Sequence, residues 1–230
     1  MERIESELKE LKKTLIEEWE LVINQLKKSR EAMEKLDKEL AKEISTNEKL
    51  IDAYELKIDM DCENILALLN PLANDLRFVL AVLKINYNLE RIGDYCHAFA
   101  KVVLETDKHF NEEHIKKAGI LDMFETAIAM QTLTLEAFEN ENAMLPRKVF
   151  KKDDDLDKIN KEANEVIAKL IKKHPSEVNN CLNLHSTIRR LERVGDQTKS
   201  IGEEIIFYLE AKVLRHKKKK EKLGEGEMAE

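Results

Sequence analysis

Nearly the same six-residue segment occurs twice in this sequence. LERIGD starts at Leu89 and LERVGD starts at Leu191, a shift of 102 residues. Upstream of each copy there is an acidic pair, which begins at Glu48 in one half and at Asp153 in the other, a shift of 105 residues. The three-residue difference falls between the matching segments, as an insertion in a connecting loop would. This repetition predicts a duplicated structural unit.

Apolar residues follow a helical period along almost the whole chain, and no segment shows the alternation of a β-strand. Helix-breaking residues are rare, with six glycines and three prolines in 230 residues. The predicted helices cover approximately residues 2–39, 45 to the break at Pro71, 74–106, 112–142, 150–173 and 176–213. Short connections favour antiparallel neighbours. We therefore predict an all-α fold in which six long helices form two pseudo-repeated antiparallel three-helix bundles.

The duplicated unit also predicts the domain organisation. Residues 1–108 form the first three-helix repeat and residues 109–214 form the second. Residues 215–230 are basic and then acidic, and we expect them to form a disordered tail.

Composition excludes several classes of protein. The formal net charge of −7 argues against nucleic acid as the main partner, since phosphate neutralisation needs a basic surface. The chain has no long apolar run that would span a membrane, and its N-terminal MERIESELKE has no apolar signal core. We therefore expect a cytoplasmic protein. The three cysteines form no CxxC motif and are interpreted as buried thiols.

Each half carries oxygen-bearing side chains at helical spacing on two of its helices. On the second helix of each half they occur at i, i+4, i+7 and i+11, which lie on one face. On the third helix, a glutamate and an aspartate four residues apart lie within the repeated segment. The candidate metal ligands are Glu48, Asp52, Glu55, Asp59, Glu90 and Asp94 in the first half, and Asp153, Asp157, Asn160, Asn164, Glu192 and Asp196 in the second.

Like charges at this spacing cost only a few tenths of a kcal/mol on an exposed helix. If carboxylates from adjacent helices converge, however, each close pair costs about 4 kcal/mol at an effective dielectric constant near 20. Bound cations would remove this repulsion. Carboxylates and amides, without cysteine or histidine on these faces, suit Fe³⁺, Mn²⁺, Mg²⁺ or Ca²⁺ better than a structural Zn²⁺. The sequence thus predicts metal ions between the second and third helices of each half, unless the acidic faces are merely solvated.

Two further observations bear on these sites. Gly93 and Gly195 occupy the same place in the two repeated segments, although glycine costs about 1 kcal/mol relative to alanine inside a helix. We therefore expect a backbone or ligand to approach each glycine closely. Ferritin-like oxidases need Glu-x-x-His on two helices, and no such motif occurs in this sequence. This argues against a di-iron oxidase.

The repeated segments resemble those of the PhoU family, regulators of phosphate uptake that accompany high-affinity phosphate transporters. The resemblance extends over LLNPLANDLRFVLAVLKINYNLERIGDY (68–95), MFETAIAMQTLTLEAF (123–138) and IGEEIIFYLEAKVLRH (201–216). It implies an all-α fold of two three-helix bundles, each with a metal cluster, often of iron. The family's E/D-x-x-x-D motifs fall on Glu48/Asp52, Glu90/Asp94, Asp153/Asp157 and Glu192/Asp196.

The resemblance also implies a function. Family members are regulators that negatively control the phosphate-starvation response by contacting the ATPase of the phosphate ABC transporter and a sensor histidine kinase. A protein of this kind is peripheral to the membrane through its partners and is not an enzyme. The implied cofactors are metal ions, iron clusters first, with Mn, Mg, Ca or Zn as alternatives. The long amphipathic helices are compatible with a homodimer.

Two other functions stay open from the residues alone. A carboxylate-bridged, metal-dependent hydrolase is physically possible on such an acidic surface. A purely structural helical scaffold with solvated acidic faces is the other alternative.

The sequence departs from the family pattern one turn after Asp94 and one turn after Asp196. Family members usually continue as GDYAxNIA, but Ala98 and Ser200 stand at the asparagine position here. The missing amide leaves the number of metal ions at each site open. His97 could replace it as a ligand, although an ordinary, partly exposed histidine is the simpler interpretation.

Overall fold

The computed structural model describes residues 2–107 and 109–213, and seven α-helices occur within these ranges. They are α1 (Glu2–Lys35), α2 (Lys38–Leu69), α3 (Asn74–Glu105), α4 (Glu112–Lys117), α5 (Ile120–Glu139), α6 (Leu145–Lys173) and α7 (Val178–Glu210). A 3₁₀ turn at Pro175–Glu177 precedes α7, and the described ranges contain no strand. The all-α prediction is confirmed. The predicted count of six helices is corrected by the short α4.

The long helices form two bundles of three. In the first bundle α2 packs against α3 and α1, and in the second α6 packs against α7 and α5. The bundles meet where α3 contacts α7 and where α1 contacts α5. The predicted pair of pseudo-repeated antiparallel bundles is therefore present. The predicted tail at residues 215–230 lies outside the described residues, and the predicted repeat boundary at residue 108 stays a prediction.

Several helix boundaries differ from the prediction because of local capping. α2 begins at Lys38, well before residue 45, since the carboxylate of Asp37 accepts a hydrogen bond of 2.9 Å from the amide of Leu40. α6 begins at Leu145 rather than near residue 150, because Pro146 is well tolerated in the first turn of a helix. Gly119, with a φ of 67°, divides the predicted fourth helix into α4 and α5.

The core is continuous through both bundles. Trp19 of α1 is fully buried, and its indole Nε1 donates a hydrogen bond of 2.5 Å to Gln131 Oε1 on α5. Gln131 in turn donates from Nε2 to Thr198 Oγ1 on α7 at 2.7 Å. This buried chain of polar contacts joins the two halves and satisfies groups that would otherwise be costly to bury. The cysteines are free and buried, as predicted.

None of the helices in the described ranges is long and apolar enough to cross a membrane. The α2–α3 pair and the α6–α7 pair are the parts of this frame that carry the candidate metal ligands.

Candidate metal centres

The candidate ligands lie on two equivalent helix pairs, which we call the first and second patches. The first patch consists of Glu48, Asp52, Glu55 and Asp59 on α2 with Glu90 and Asp94 on α3. The second patch consists of Asp153, Asp157, Asn160 and Asn164 on α6 with Glu192 and Asp196 on α7. The duplication therefore places all twelve predicted residues on the faces of α2, α3, α6 and α7.

Glycine allows the helices of each pair to approach closely. A Cβ atom added to Gly93 would lie 2.8 Å from Ile51 Cδ1. One added to Gly195 would lie 2.6 Å from Leu156 Cδ1 and 2.9 Å from Asp153 Oδ1. The expected close approach is thus present, and it is made by side chains of the facing helix rather than by a backbone or a ligand.

Substitution Gly195→Ala is expected to lower the free energy of unfolding by about 1–3 kcal/mol, because the new methyl group overpacks the α6–α7 contact. The clash outweighs the higher helix propensity of alanine. Chemical denaturation followed by circular dichroism measures the change. Gly93→Ala is the comparison, and we expect it to cost less, since the three atoms nearest to its methyl group all belong to the apolar side chain of Ile51. A Gly195→Ala protein as stable as the wild type would contradict this packing.

Carboxylates of the two helices interact strongly in the first patch. Burial raises the pKa of Glu90 to about 7, and the charges of Asp94 and Glu55 add to the effect. Burial also raises the pKa of Glu55, followed by the charges of Asp59, Asp52 and Asp94. The charge of Asp94 on α3 therefore lies close enough to Glu55 on α2 to raise the pKa of Glu55. The electrostatic influence of these carboxylates therefore extends from one helix to the other, while the predicted metal site stays a prediction.

Few groups offset this negative charge. The Nδ1 atom of His97 lies 3.1 Å from Glu48 Oε2, without hydrogen-bond geometry. Asp59 accepts a hydrogen bond of 2.9 Å from the amide of Asn86. Within residues 2–107 and 109–213, no lysine or arginine forms an ion pair with a first-patch carboxylate, although Arg91 lowers the pKa of Glu90 electrostatically.

The structure adds a carboxyl group to the first patch that the sequence analysis missed. Glu18 of α1 is 0% exposed, and neither of its carboxyl oxygens has a hydrogen-bond partner. Burial raises its pKa well above the ordinary value, and the charges of Glu55, Glu90 and Asp59 raise it further. Glu18 therefore lies beneath the first patch. Its position three residues after Leu15, on the apolar stripe of α1, was the signal in the sequence.

Basic side chains already occupy the second patch. The ion pairs are Lys199–Asp153 at 2.7 Å, Lys161–Asp157 at 3.5 Å, Arg193–Asp196 at 3.4 Å and Arg193–Glu192 at 3.7 Å. The two asparagines differ from each other. Asn164 Oδ1 lies 2.8 Å from His185 Nε2, whereas Asn160 Oδ1 is buried without a partner. The second patch is therefore largely neutralised by the protein itself.

Lys199 is central to this neutralisation. Burial alone would lower its pKa, but the hydrogen bond and charge of Asp153, with the charges of Asp196 and Asp157, raise it overall. Burial raises the pKa of Asp196 and the charge of Asp153 adds to this, while Arg193 and Lys199 oppose it. Lys199 is thus a charged ammonium group among three carboxylates.

The two patches fit a metal ion differently. Within the part of the chain that the structure describes, no three His, Cys, Asp or Glu side chains converge closely enough to hold one ion. A bound ion therefore requires rotation of side chains on the helix faces. The first patch offers hard oxygen donors and the unpartnered carboxyl group of Glu18, which suit a cation. In the second patch, Lys199 forms an ion pair of 2.7 Å with Asp153 and each of the other carboxylates also has a basic partner, so the donors do not fit a metal cluster.

Both halves of the chain match one family of known proteins. The PhoU domain family model matches residues 15–103 and again residues 120–205. A phosphate-specific transport system accessory protein PhoU homolog of Borreliella burgdorferi is 32% identical over 209 residues, which are 89% of this chain and 94% of the relative. The phosphate-specific transport system accessory protein PhoU homolog 1 of Thermotoga maritima is 28% identical over 204 residues, which are 88% of this chain and 87% of the relative.

Solved structures show the same fold. The crystal structure of PhoU from Pseudomonas aeruginosa is similar with a TM-score of 0.83 and 26% identity, covering 90% of this chain and 99% of that chain. The crystal structure of the phosphate transport system regulatory protein PhoU from Streptococcus pneumoniae has a TM-score of 0.80 and 25% identity, covering 92% and 99%.

Proposed function

Because the chain belongs to the PhoU family, we propose that it is a regulatory accessory protein of phosphate transport. The observation that carries this proposal is the match of both halves to the family, with a relative of that description aligned over 94% of its length. In finer detail, we propose that it negatively controls the phosphate-starvation response. It does so by contacting the ATPase of the phosphate ABC transporter and a sensor histidine kinase at the cytoplasmic side of the membrane.

The geometry of the first patch supports recognition rather than catalysis. Asp52 and Asp94 are exposed on open helix faces. Catalysis by a carboxylate-bridged metal centre benefits from a site that is closed to bulk solvent around the reacting groups, and an open helix face does not provide such a site. A metal ion that keeps open positions there would instead present positive charge to an oxyanion or to an acidic group of a partner.

We propose that the donors for such an ion are the first-patch carboxylates, with iron as the first candidate and Mn, Mg, Ca or Zn as alternatives. A hard, oxygen-only donor set supports this choice. The chain's own part is to gather carboxylates from α2 and α3 on one surface, and the buried Glu18 supplies one more acidic group beneath them. A homodimer stays a prediction.

The double substitution Glu90→Gln/Asp94→Asn tests the proposal. We expect it to abolish stoichiometric metal, measured by elemental analysis of untagged protein. We also expect it to weaken pull-down with the transporter ATPase and the sensor histidine kinase of the same organism by about tenfold or more. The control Asp154→Asn/Asp155→Asn makes the same charge change at exposed positions outside the patches and should alter neither measurement.

Two outcomes would argue against the adaptor function. Absence of association with both partners, with and without metal, would exclude the proposed contacts. Phosphoesterase turnover that disappears in Glu90→Gln/Asp94→Asn but persists in the control would favour the hydrolase.

A further inference from the structure

We propose that Lys199 is the built-in counter-cation of the second patch, so that the first patch alone binds metal. This inference rests on the metal-binding part of the proposed function, but it concerns a difference between the two halves that the duplication alone does not explain.

The duplication identifies the residues to compare. The shift of 102 residues superimposes Lys199 on His97, and the shift of 105 residues superimposes Asp153 on Glu48. In both halves, the basic residue on the third helix reaches the first carboxylate of the second helix. The distance is 2.7 Å for Lys199–Asp153 and 3.1 Å for His97–Glu48. The same junction therefore holds an ammonium group in one half and an imidazole in the other.

The ammonium group closes the second patch to a metal ion. The Nζ atom of Lys199 donates a hydrogen bond to the Oδ2 atom of Asp153, whose side chain is only 4% exposed. The Oδ1 atom of Asp153 is buried without a hydrogen-bond partner, at a site 2.9 Å from where Gly195 would carry a Cβ. Neither oxygen is thus presented to an ion from solvent. An entering cation would also meet the repulsion of the ammonium charge at close range.

The balance of charge at the two patches supports the same assignment. The four carboxylates of the second patch all have a basic partner from Lys199, Lys161 or Arg193 within ion-pair distance. The first patch has six carboxylates on α2 and α3 together with Glu18 beneath them. In the residues that the structure describes, its only basic contact of this kind is His97. The negative charge of the first patch therefore requires an external cation, whereas that of the second patch is largely offset by the protein's own side chains.

Metal counting on the full-length, untagged protein loaded with Mn²⁺ tests the assignment. We expect Asp153→Asn/Asp157→Asn to retain all of the Mn²⁺ that the wild type binds, and Glu90→Gln/Asp94→Asn to lose it. Loss of a share of the metal in Asp153→Asn/Asp157→Asn would overturn the inference, because the second patch would then be loaded. This comparison leaves Lys199 intact and does not depend on the folding of a Lys199 variant.

Removal of the lysine provides the converse test. We expect Lys199→Met to take up additional Mn²⁺ and to lose it again when Asp196→Asn is added. Without metal, Lys199→Met should have a lower Tm than the wild type, and added Mn²⁺ should restore it. Lys172→Met is the matched control, since Lys172 is exposed near the end of α6 and lies outside the second patch, and it should change neither quantity.

The outcomes separate this inference from the proposed function. If wild-type protein binds no Mn²⁺ but Lys199→Met does, metal binding by the first patch fails while the role of Lys199 is supported. If Lys199→Met gains no Mn²⁺ and its Tm is unchanged, Lys199 is not the counter-cation and the inference is overturned.

Discussion

Replacing Glu18 by methionine is expected to raise the free energy of unfolding of the metal-free protein by about 1–3 kcal/mol, the usual cost of burying an unsatisfied polar group. The carboxyl group of Glu18 is fully buried, and neither oxygen has a hydrogen-bond partner. The second half supports the choice of methionine. The shift of 105 residues superimposes Glu18 on Met123, which is also fully buried.

The same substitution should have the opposite effect on metal binding. Glu18 lies close enough to Glu55, Glu90 and Asp59 for their charges to raise its pKa. If the first patch holds a cation, removal of this acidic group should weaken Mn²⁺ binding by about tenfold or more. A gain in stability together with a loss of affinity would show that Glu18 is kept for binding rather than for folding.

Urea denaturation followed by circular dichroism measures the stability, and titration with Mn²⁺ measures the affinity. Glu20→Met is the control, because Glu20 is exposed on the same helix and its replacement should change stability by less than about 0.5 kcal/mol. A Glu18→Met protein that is less stable than the wild type without metal would show that the carboxyl group contributes to folding.

Glu18 also illustrates how far the sequence could predict this structure. Helical periodicity and the repeated hexapeptide were sufficient for the all-α fold and for the position of every candidate ligand on two helix pairs, because both depend on local spacing. The sequence places Glu18 on the apolar stripe of α1, three residues after Leu15, but this spacing alone predicts no neighbour for its carboxyl group. Its location beneath Glu55 and Glu90, however, depends on how α1 packs against α2 and α3.

The difference between the two patches was not predicted for a related reason. The acidic residues recur in register, so the sequence places candidate ligands in both halves and leaves open whether the two sites are equivalent. The neutralisation of Asp153 depends on Lys199, one turn beyond the repeated segment, and on its reach across to α6. Helix ends were the least predictable element. The cap formed by Asp37 and the first-turn position of Pro146 extend α2 and α6 beyond their predicted starts.

The stability of the metal-free protein is expected to fall as the pH rises from about 4.5 to above 7. The pKa of Glu90 is about 7 in the folded protein, against an ordinary value of 4.5. Because the folded-state pKa is the higher one, its contribution to stability is fully present below pH 4.5 and is lost as the pH rises through 7. The full difference would correspond to about 3.4 kcal/mol. Solvent screening of this partly exposed group reduces our expectation to about 1–2 kcal/mol.

Other acidic groups contribute with the same sign. The pKa values of Glu18 and Glu55 are raised in the first patch, and those of Glu192 and Asp196 in the second, in each case first by burial and then by neighbouring carboxylates. The variant Glu90→Gln isolates one share of the effect, since glutamine stays neutral throughout. Its stability should fall less than that of the wild type over this pH range. Equal slopes for the two proteins would contradict the assignment to Glu90.

Added Mn²⁺ should reverse the trend if the first patch is the metal site. A cation binds the ionised carboxylates, so protons and metal compete for Glu90 and its neighbours. Stabilisation by bound metal grows with the ratio of free metal to Kd and reaches about 2.7 kcal/mol at a hundredfold excess over Kd. As the pH rises towards 8, Kd should decrease and the Tm at fixed Mn²⁺ should increase. The metal-free Tm should decrease over the same range. Parallel decreases in both conditions would mean that the ionised first patch does not bind Mn²⁺. The repulsion among its carboxylates would then destabilise the folded protein with no bound cation to offset it.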